Sequence, residues 1–379
     1  MKFRVERDAL ADAVAWTART LPARPPMAVL AGVLLEVGGD EADPTALTVS
    51  SFDYEVSAQA SAEVSGSDGG RALVSGRLLA EITRSLPAQP VDIRIDGARL
   101  VVSCGPARFT LPTLPVEDYP TIPEMPVAAG VVGSDAFAAA VAQVAVAAGR
   151  DDTLPVLTGV RIEIDGDTLT LAATDRYRLA VRRLKWQPDA PEQTATALVP
   201  ARTLADTARS LTGAEVTVAL ASGGVGEGLI GFTGGDRRTT TRLLDGEFPK
   251  YRSLFPTQYT ATAQVATAPF IEAIKRVALV APRNASVRLR FTTAGNVTLE
   301  AGGGEDAEAV EILECSFEAP DGEEFTVAFN PGYLLDGLGA IDSDAAHLGF
   351  TTPTKPAVVT GKESEADYSY LIMPVRLSS

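Results

Sequence analysis

The residues that usually carry enzyme chemistry are scarce in this chain. Of its 379 residues only His347 is a histidine, and its two cysteines, Cys104 and Cys315, form no CxxC motif. Without further histidines, nucleophilic triads and histidine-based metal sites lack their components. The sequence therefore predicts neither a metal nor any other cofactor.

Two local motifs could still suggest catalysis. Asp151-Asp152 is a carboxylate pair, but adjacent acids in a loop are usually solvated rather than arranged for acid–base work. The segment 226–231 matches GxGxxG, yet the residues behind it, Phe232-Thr233-Gly234-Gly235, cannot begin the helix that would hold a pyrophosphate. An enzyme that uses the carboxylates around Asp151 is one alternative, weaker than a non-catalytic protein.

Arginines recur at spacings that could bind phosphate groups. Arg77 and Arg84 are seven residues apart, so on a helix they lie two turns apart on one face. A second pair repeats this arrangement, and three more arginines end three predicted helices. One such pair alone is typical of a solvated helix, whereas the repetition favours binding to the phosphates of duplex DNA. The set comprises Arg24, Arg77, Arg84, Arg150, Arg202, Arg209 and Arg283.

The overall charge limits where such binding could occur. With 33 Lys and Arg against 49 Asp and Glu, the formal net charge is −16. A generally basic nucleic-acid surface is therefore excluded, and DNA would have to contact a local patch of arginines. No apolar run is long enough to cross a membrane, and the first residues have no apolar signal core, so a cytoplasmic protein without membrane partners is expected.

The elements that would position these arginines are predicted to occur three times. An apolar stripe with the spacing i, i+4, i+7, i+11 begins at Leu10, again at Phe137 and again at Phe270. This spacing places the stripe on one face of a helix. Segments in which a β-like run passes directly into an amphipathic helix also recur in the same order, at 73–79, 198–204 and 328–334.

The fold class predicted from these repeats is α+β, with three similar domains. The order in each repeat is helix, strands, helix, strands, and a period near 125 residues is long enough for each copy to bury its own core. Proline-rich turns after a strand pair mark the predicted boundaries. The predicted domains are residues 1–125, 126–256 and 257–379.

The whole chain resembles the bacterial sliding clamps, the beta subunits of DNA polymerase III, and is most similar to those of actinobacterial type. The motifs that carry the resemblance span all three repeats and are Met1–Arg7, Ala173–Ala180, Leu244–Tyr251, Phe329–Asn330 with Tyr333–Asp336, and Met373–Leu377. The resemblance implies three clamp domains per chain and a head-to-tail homodimer that closes a six-domain ring, with helices lining the channel and sheets outside.

The resemblance also implies a processivity factor without catalytic activity. Such a ring encircles duplex DNA independently of sequence and tethers the replicative polymerase, the clamp loader and other proteins that carry a clamp-binding motif. The alternative is a protein scaffold of three repeated domains with no DNA role. Such a scaffold would have no reason to repeat arginines on matching helix faces.

Two groups of site residues are carried over from the family by motif. The partner-peptide pocket would consist of Leu157, Thr174, Arg176, Tyr177, Arg178, Leu179, Pro249, Leu254, Asn330, Tyr333, Met373, Pro374, Val375, Arg376 and Leu377. The dimer interface would consist of Arg108, Phe109, Leu111, Leu279, Val280, Glu305 and Glu308. Arg176-Tyr177 stands where many relatives have Gly-His.

Overall fold

A computed structural model describes residues 1–38, 45–220, 228–281, 286–302, 307–319, 324–361 and 367–376. The chain divides into two compact units, each assembled from separate stretches. The first unit contains Met1–Asp135, Gln187–Ala190 and Asp206–Leu243, and the second contains Ala136–Trp186, Pro191–Ala205 and Leu244–Ser379. The predicted boundaries after residues 125 and 256 stay predictions.

Strands dominate the described residues. In chain order they are β1 (Lys2–Val5), β2 (Gly32–Val37), β3 (Ala46–Phe52), β4 (Val56–Asp68), β5 (Gly70–Ser75), β6 (Val91–Asp96), β7 (Arg99–Cys104), β8 (Ala107–Pro112), β9 (Ala128–Gly133), β10 (Gly159–Asp165), β11 (Thr168–Thr174), β12 (Arg178–Lys185), β13 (Gln187–Pro188), β14 (Thr194–Pro200), β15 (Glu215–Leu220), β16 (Leu229–Gly234), β17 (Arg237–Arg242), β18 (Ala261–Ala266), β19 (Val287–Thr292), β20 (Asn296–Gly302), β21 (Glu308–Glu318), β22 (Phe325–Phe329), β23 (Ala345–Phe350), β24 (Ala357–Thr360) and β25 (Tyr368–Ile372).

The helices are short and amphipathic. They are α1 (Arg7–Thr17), α2 (Gly76–Ser85), α3 (Ser134–Ala145), α4 (Ala201–Ser210), α5 (Thr267–Val277) and α6 (Pro331–Gly339). Single 3₁₀ turns occur at Ala18–Thr20, Ala28–Ala31, Pro155–Thr158, Tyr251–Leu254 and Ala278–Val280. The combination confirms the predicted α+β class.

Each unit contains one large sheet. In the first unit the main strand order is β13-β9-β15-β16-β17-β4-β1-β6-β7-β8, with β2, β3 and β5 joined beside β4. In the second unit the order is β14-β10-β11-β12-β25-β24-β23-β18-β21-β20-β19-β22. Both sheets therefore pair strands from neighbouring sequence repeats, as β17 does with β4 and β12 with β25.

The apolar stripes form the predicted helices but extend beyond them. Leu10, Val14 and Thr17 are buried on α1, and Phe270 and Ile274 are buried on α5. Each of these helices tightens into a 3₁₀ turn after its last residue, because the chain bends there toward the next segment. The final stripe positions, at residues 21, 148 and 281, thus lie outside the α-helices.

The recurring strand-to-helix segments are confirmed. β5 leads into α2 and β14 into α4 without a loop, and β22 reaches α6 through the single residue Asn330. On α2 the apolar side, which includes Leu79 and Ile82, is buried. Asn330 begins α6 as its N-cap, where its side chain accepts a hydrogen bond from the Tyr333 amide at 3.1 Å.

The turns and linkers after the strand pairs repeat as well. Leu114 donates its amide to the Leu73 carbonyl at 2.8 Å, and Leu244 does the same to Leu198 at 2.8 Å. Tyr119 then packs beside Leu73, as Phe248 packs beside Leu198. Internal repetition therefore extends from the helices to the linkers between repeats.

The described part of the glycine-rich match lies in a sheet and not at the start of a helix. The second half of the GxGxxG match belongs to β16, which pairs with β15 and β17 and begins no helix; residues 221–227 lie outside the described part. Within the described ranges, no cluster of His, Cys, Asp and Glu could hold a metal ion. No helix among the described residues has the length and apolar character needed to cross a membrane.

Candidate functional site

A cavity of about 640 Å³ lies in the second unit. Six residues predicted for the pocket line it, and eight further residues complete the lining. The predicted ones are Leu157, Arg176, Tyr177, Arg178, Asn330 and Tyr333; the others are Ala148, Gly149, Arg150, Asp151, Leu154, Asp175, Gly332 and Asp336. The cavity thus brings together three stretches of chain that are far apart in sequence.

Arg178 is the central charged residue of this cavity. Its side chain is only 6% exposed and forms ion pairs with Asp175 at 3.0 Å and with Asp336. Burial opposes its charge, but the hydrogen bond to Asp336 and further polar neighbours more than compensate and raise the pKa of Arg178 above its ordinary value. Its guanidinium also lies 4.4 Å from the centre of the Tyr333 ring, a cation–π contact.

A tight turn between β11 and β12 positions Arg178. The Asp175 carboxylate accepts hydrogen bonds from the amides of Tyr177 at 3.0 Å and Arg178 at 3.1 Å. Thr174 accepts from the Arg176 amide at 3.2 Å and donates to the Arg178 carbonyl at 2.6 Å. An aspartate side chain that accepts hydrogen bonds from the amides two and three residues ahead stabilises a turn. This turn therefore depends on the local sequence.

Two tyrosines form the aromatic part of the cavity. The rings of Tyr177 and Tyr333 stack with their centres 6.3 Å apart, and Tyr177 is 55% exposed. The hydroxyl of buried Tyr370 donates to the Tyr333 carbonyl at 2.8 Å and so ties α6 to β25. Burial, followed by the charge of Asp175, raises the pKa of Tyr333 above its ordinary value.

The other predicted pocket residues do not line the cavity. Thr174 and Leu179 are buried, the latter in a cluster with Phe248, Tyr251 and Leu371. The remaining ones are exposed or half-buried around this cluster and the last strand: Pro249, Leu254, Met373, Pro374, Val375 and Arg376. Leu377 lies outside the described residues.

The C-terminal segment nevertheless lies beside the cavity wall. The Met373 amide donates to the carbonyl of Tyr177 at 2.8 Å, and the Val375 amide donates to Ala328 at 2.8 Å. Met373 and Val375 are 36% and 39% exposed. Two partly exposed apolar residues thus follow β25, and the first of them is bonded to the lining residue Tyr177.

A buried carboxylate anchors the segment that carries Pro249 and Leu254. Glu163 on β10 pairs with Arg161 at 2.7 Å and with Arg252, and it accepts the Tyr251 hydroxyl at 3.1 Å. Burial, together with the charge of Glu163, raises the pKa of Tyr251 to about 12. The network holds the turn 251–254 against the sheet.

Comparison with known proteins places the chain in a family. Profiles of the N-terminal, central and C-terminal domains of the DNA polymerase III beta subunit match residues 1–123, 131–250 and 252–376. The beta sliding clamp of Streptomyces coelicolor is 60% identical over 384 residues and covers 100% of both chains. The chain belongs to the DNA polymerase III beta subunit family, the bacterial sliding clamps.

Solved clamps share the fold over the full length. A polymerase sliding clamp from Bacillus subtilis matches with a TM-score of 0.91 and 25% identity, covering 100% of both chains. A Pseudomonas aeruginosa sliding clamp bound to griselimycin matches with a TM-score of 0.90 and 29% identity, also covering 100% of both. The resemblance to clamps of actinobacterial type is confirmed, and the chain is a non-catalytic processivity factor with three clamp domains.

The carboxylate of Asp151 is hydrogen-bonded within its own loop. Asp151 accepts hydrogen bonds from the amide of Thr153 at 3.0 Å and from its hydroxyl at 2.6 Å. These bonds hold the pKa of Asp151 below its ordinary value. A general acid would need the opposite shift.

The clamp's predicted DNA arginines are mostly solvent-exposed. Arg77 and Arg84 lie on the exposed side of α2, and Arg202 and Arg209 lie on the exposed side of α4. Arg77 donates to the Pro22 carbonyl at 3.2 Å, close in sequence to exposed Arg24. Arg150 is exposed as well, and it also lines the cavity. Arg283 lies outside the described residues.

The predicted interface residues that the structure describes lie on β8, in the 3₁₀ turn after α5 and at the start of β21. Arg108 and half-buried Phe109 belong to β8, the last strand in its sheet, whereas the side chain of Leu111 is buried in the core and cannot contribute an apolar surface. Leu279 is 83% exposed, Val280 is half-buried and Glu308 is exposed. Glu305 lies outside the described residues.

Sequence reasoning missed several residues at these sites. Asp175 and Asp336 occur in the motifs of the resemblance but were not assigned to the pocket, although Arg178 needs acidic partners when buried. Val310 and Ile312 are 56% and 64% exposed on β21. The signal for Val310 and Ile312 in the sequence is the alternation of apolar and acidic residues along this strand.

Proposed function

We propose that this clamp binds short segments of its replication partners in the cavity of the second unit. The observation that carries the proposal is the gathering of Leu157, the 176–178 turn and the start of α6 around one cavity of about 640 Å³. A cavity of this size, with apolar walls and a few fixed polar groups, suits a peptide segment.

The expected ligand is a short, mostly extended peptide with a glutamine and two or three large apolar residues. Leu154, Leu157, Tyr177 and Tyr333 offer apolar contacts, and Met373 extends them at the edge. Candidate partners are the replicative polymerase, the clamp loader and other proteins with a clamp-binding motif. The P. aeruginosa clamp bound to griselimycin is a precedent for a ligand on a related chain.

We further propose that two chains close a head-to-tail ring. β8 ends its sheet, and β21 carries exposed Val310 and Ile312 near its start. Leu279 adds a third exposed apolar side chain to the same unit as β21. Unpaired strand edges and exposed apolar side chains are features that an interface covers. Contact between β8 of one chain and β21 of the other joins two different surfaces and is therefore heterologous. The ring formed by such contacts must close after two copies.

Duplex DNA would pass through this ring. Exposed arginines on α2 and α4 supply phosphate contacts, while the net charge of −16 discourages DNA from binding elsewhere. A closed ring stays on DNA by topology, so individual contacts can be weak enough for sliding. A tethered polymerase then rebinds at high effective concentration.

Two further expectations belong to this proposal. The three domains are bounded after residues 125 and 256, where proline-rich linkers follow a strand pair. The protein acts in the cytoplasm, where a processivity factor meets the DNA that its polymerase copies.

The cavity is tested with Tyr333→Ala and a short labelled peptide that contains Gln and two leucines. We expect fluorescence anisotropy to show at least a tenfold loss of affinity, about 1.4 kcal/mol, because the substitution removes an aromatic wall and the partner of Arg178. Tyr259→Ala, at a tyrosine of the same unit outside the cavity and 44% exposed, is the matched control. Equal affinity of the Tyr333 variant and the unsubstituted protein would contradict the proposal.

A further inference from the structure

Arg176 has an unusual backbone conformation for an arginine. Its φ is +79°, in the left-handed region that residues with a side chain rarely adopt. The turn imposes this conformation, because the same turn in the first repeat places Tyr54 at φ +75° after Asp53. Glycine would adopt it without strain. Arg176 therefore adds a side chain to the site at the cost of backbone strain.

The side chain of Arg176 has no ion-pair partner in the described part of the chain. It lines the cavity together with Arg150, which also lacks one there. Arg178 pairs with both Asp175 and Asp336, which occupies these carboxylates but balances only one of their two charges. The carboxylate of Asp151 binds the amide and hydroxyl of Thr153. Arg176 acts electrostatically on Asp151 but forms no direct ion pair with it among the described residues, so the guanidinium groups of Arg176 and Arg150 can both still donate to a ligand.

A helix begins at the same cavity. Gly332 and Tyr333, in the first turn of α6, belong to its lining. The amide dipoles at a helix N-terminus favour a nearby negative charge. Together with Arg176 and Arg150 they provide hydrogen-bond donors beside the apolar wall of Leu154 and Leu157, in a lining whose three arginines and three aspartates balance in charge.

We propose that Arg176 is a specificity-determining residue, which makes the cavity prefer partner segments that carry an Asp or Glu beside their apolar residues. This inference rests on the proposed peptide-binding function. The carboxylate of the segment would receive hydrogen bonds from the guanidinium of Arg176, while the apolar side chains pack on Leu157 and the tyrosines. Because the site is partly open to solvent, the contribution is that of a salt-sensitive ion pair.

The test uses pairs of peptides that differ only by Asp or Asn, moved along one sequence that contains Gln and two leucines. At one position the unsubstituted clamp should bind the Asp peptide about fivefold more tightly than the Asn peptide. This ratio should fall as salt increases. Arg176→Gln keeps most of the side chain without its charge, and Arg176→Gly suits the positive φ. Both should bring the ratio of the two affinities close to one.

Arg183→Gln is the matched control, since Arg183 is an exposed arginine of β12 outside the cavity. It should keep the full ratio. Equal binding of all Asp and Asn pairs by the unsubstituted clamp would overturn the inference and leave peptide binding intact. A ratio that survives in Arg176→Gln but disappears in Arg150→Gln would also overturn it. Failure of every peptide to bind would instead refute the proposed function.

Discussion

At the scale of single residues, Arg178 connects the turn, the aromatic pair and α6. Its ion pairs with Asp175 and Asp336 and its position over Tyr333 use the planar, forked shape of a guanidinium. A lysine keeps the charge but can neither bridge both carboxylates in the same geometry nor stack on the ring.

Arg178→Lys should therefore weaken peptide binding about tenfold, or about 1.4 kcal/mol, without unfolding the protein. Fluorescence anisotropy measures the affinity, and circular dichroism checks the fold. Arg183→Lys, in the same strand but exposed, should bind like the unsubstituted clamp. If both variants bound equally well, Arg178 would have no positioning role.

Some residues of the cavity can be predicted from the sequence and others cannot, for physical reasons. Asn330 and Tyr333 could be carried over because they stand in a short motif at the start of a helix. The place of Arg150 at a helix end predicts a DNA contact, and no local pattern in the sequence indicates that this residue also lines the cavity. Asp336 pairs with Arg178 across 158 residues of chain, and no local spacing predicts such a contact. Long-range pairs of this kind are fixed by the sheet.

At the scale of elements, local patterns predicted helices and strand-to-helix transitions well. Stripe spacing identified α1 and α5, but not their ends, because the final turns are 3₁₀. Burial of β21 alternates along most of its length, so its apolar side chains are only partly covered in the single chain. Sequence alternation cannot distinguish a face covered by the core from one covered by a partner.

The last strand, β25, and the residues that follow it differ in burial. β25 pairs with β12 and is buried, whereas Met373 follows it beside Tyr177. Deleting Met373–Ser379 should lower peptide affinity at least tenfold, about 1.4 kcal/mol, because it removes the apolar rim and spares the strand. The variant should still sediment as a dimer. Undiminished affinity in a folded, dimeric deletion variant would show that this segment is not part of the pocket.

At the scale of the whole molecule, the ring predicts a link between dimerisation and retention on DNA. Leu279→Asp introduces a charge at an 83% exposed site, so it should leave the single chain folded but disfavour an apolar interface. Sedimentation equilibrium should give 39.6 kDa for this variant and twice that mass for the unsubstituted clamp. Val127→Asp, at a site 79% exposed, is the control and should remain dimeric.

The same variants test encirclement. Once loaded onto nicked circular duplex, the unsubstituted clamp should remain bound through a salt rise that abolishes binding to short linear DNA. It should leave after the circle is cut. The Leu279 variant should be lost from circle and line alike, because an open chain has no topological hold. Equal loss of the unsubstituted clamp from both would contradict encirclement.

The pairing of β4 with β17 also has a consequence for synthesis on the ribosome. The hydroxyls of Ser57 and Thr240 meet 2.6 Å apart across these strands, although 183 residues separate them in sequence. At a translation rate of about 5 to 20 residues per second, roughly ten to forty seconds pass between the synthesis of these two residues. That edge of β4 stays unpaired during this interval. Nascent chains on one messenger are therefore exposed to mispairing at this edge, and chaperone binding there would protect them until residue 242 has emerged.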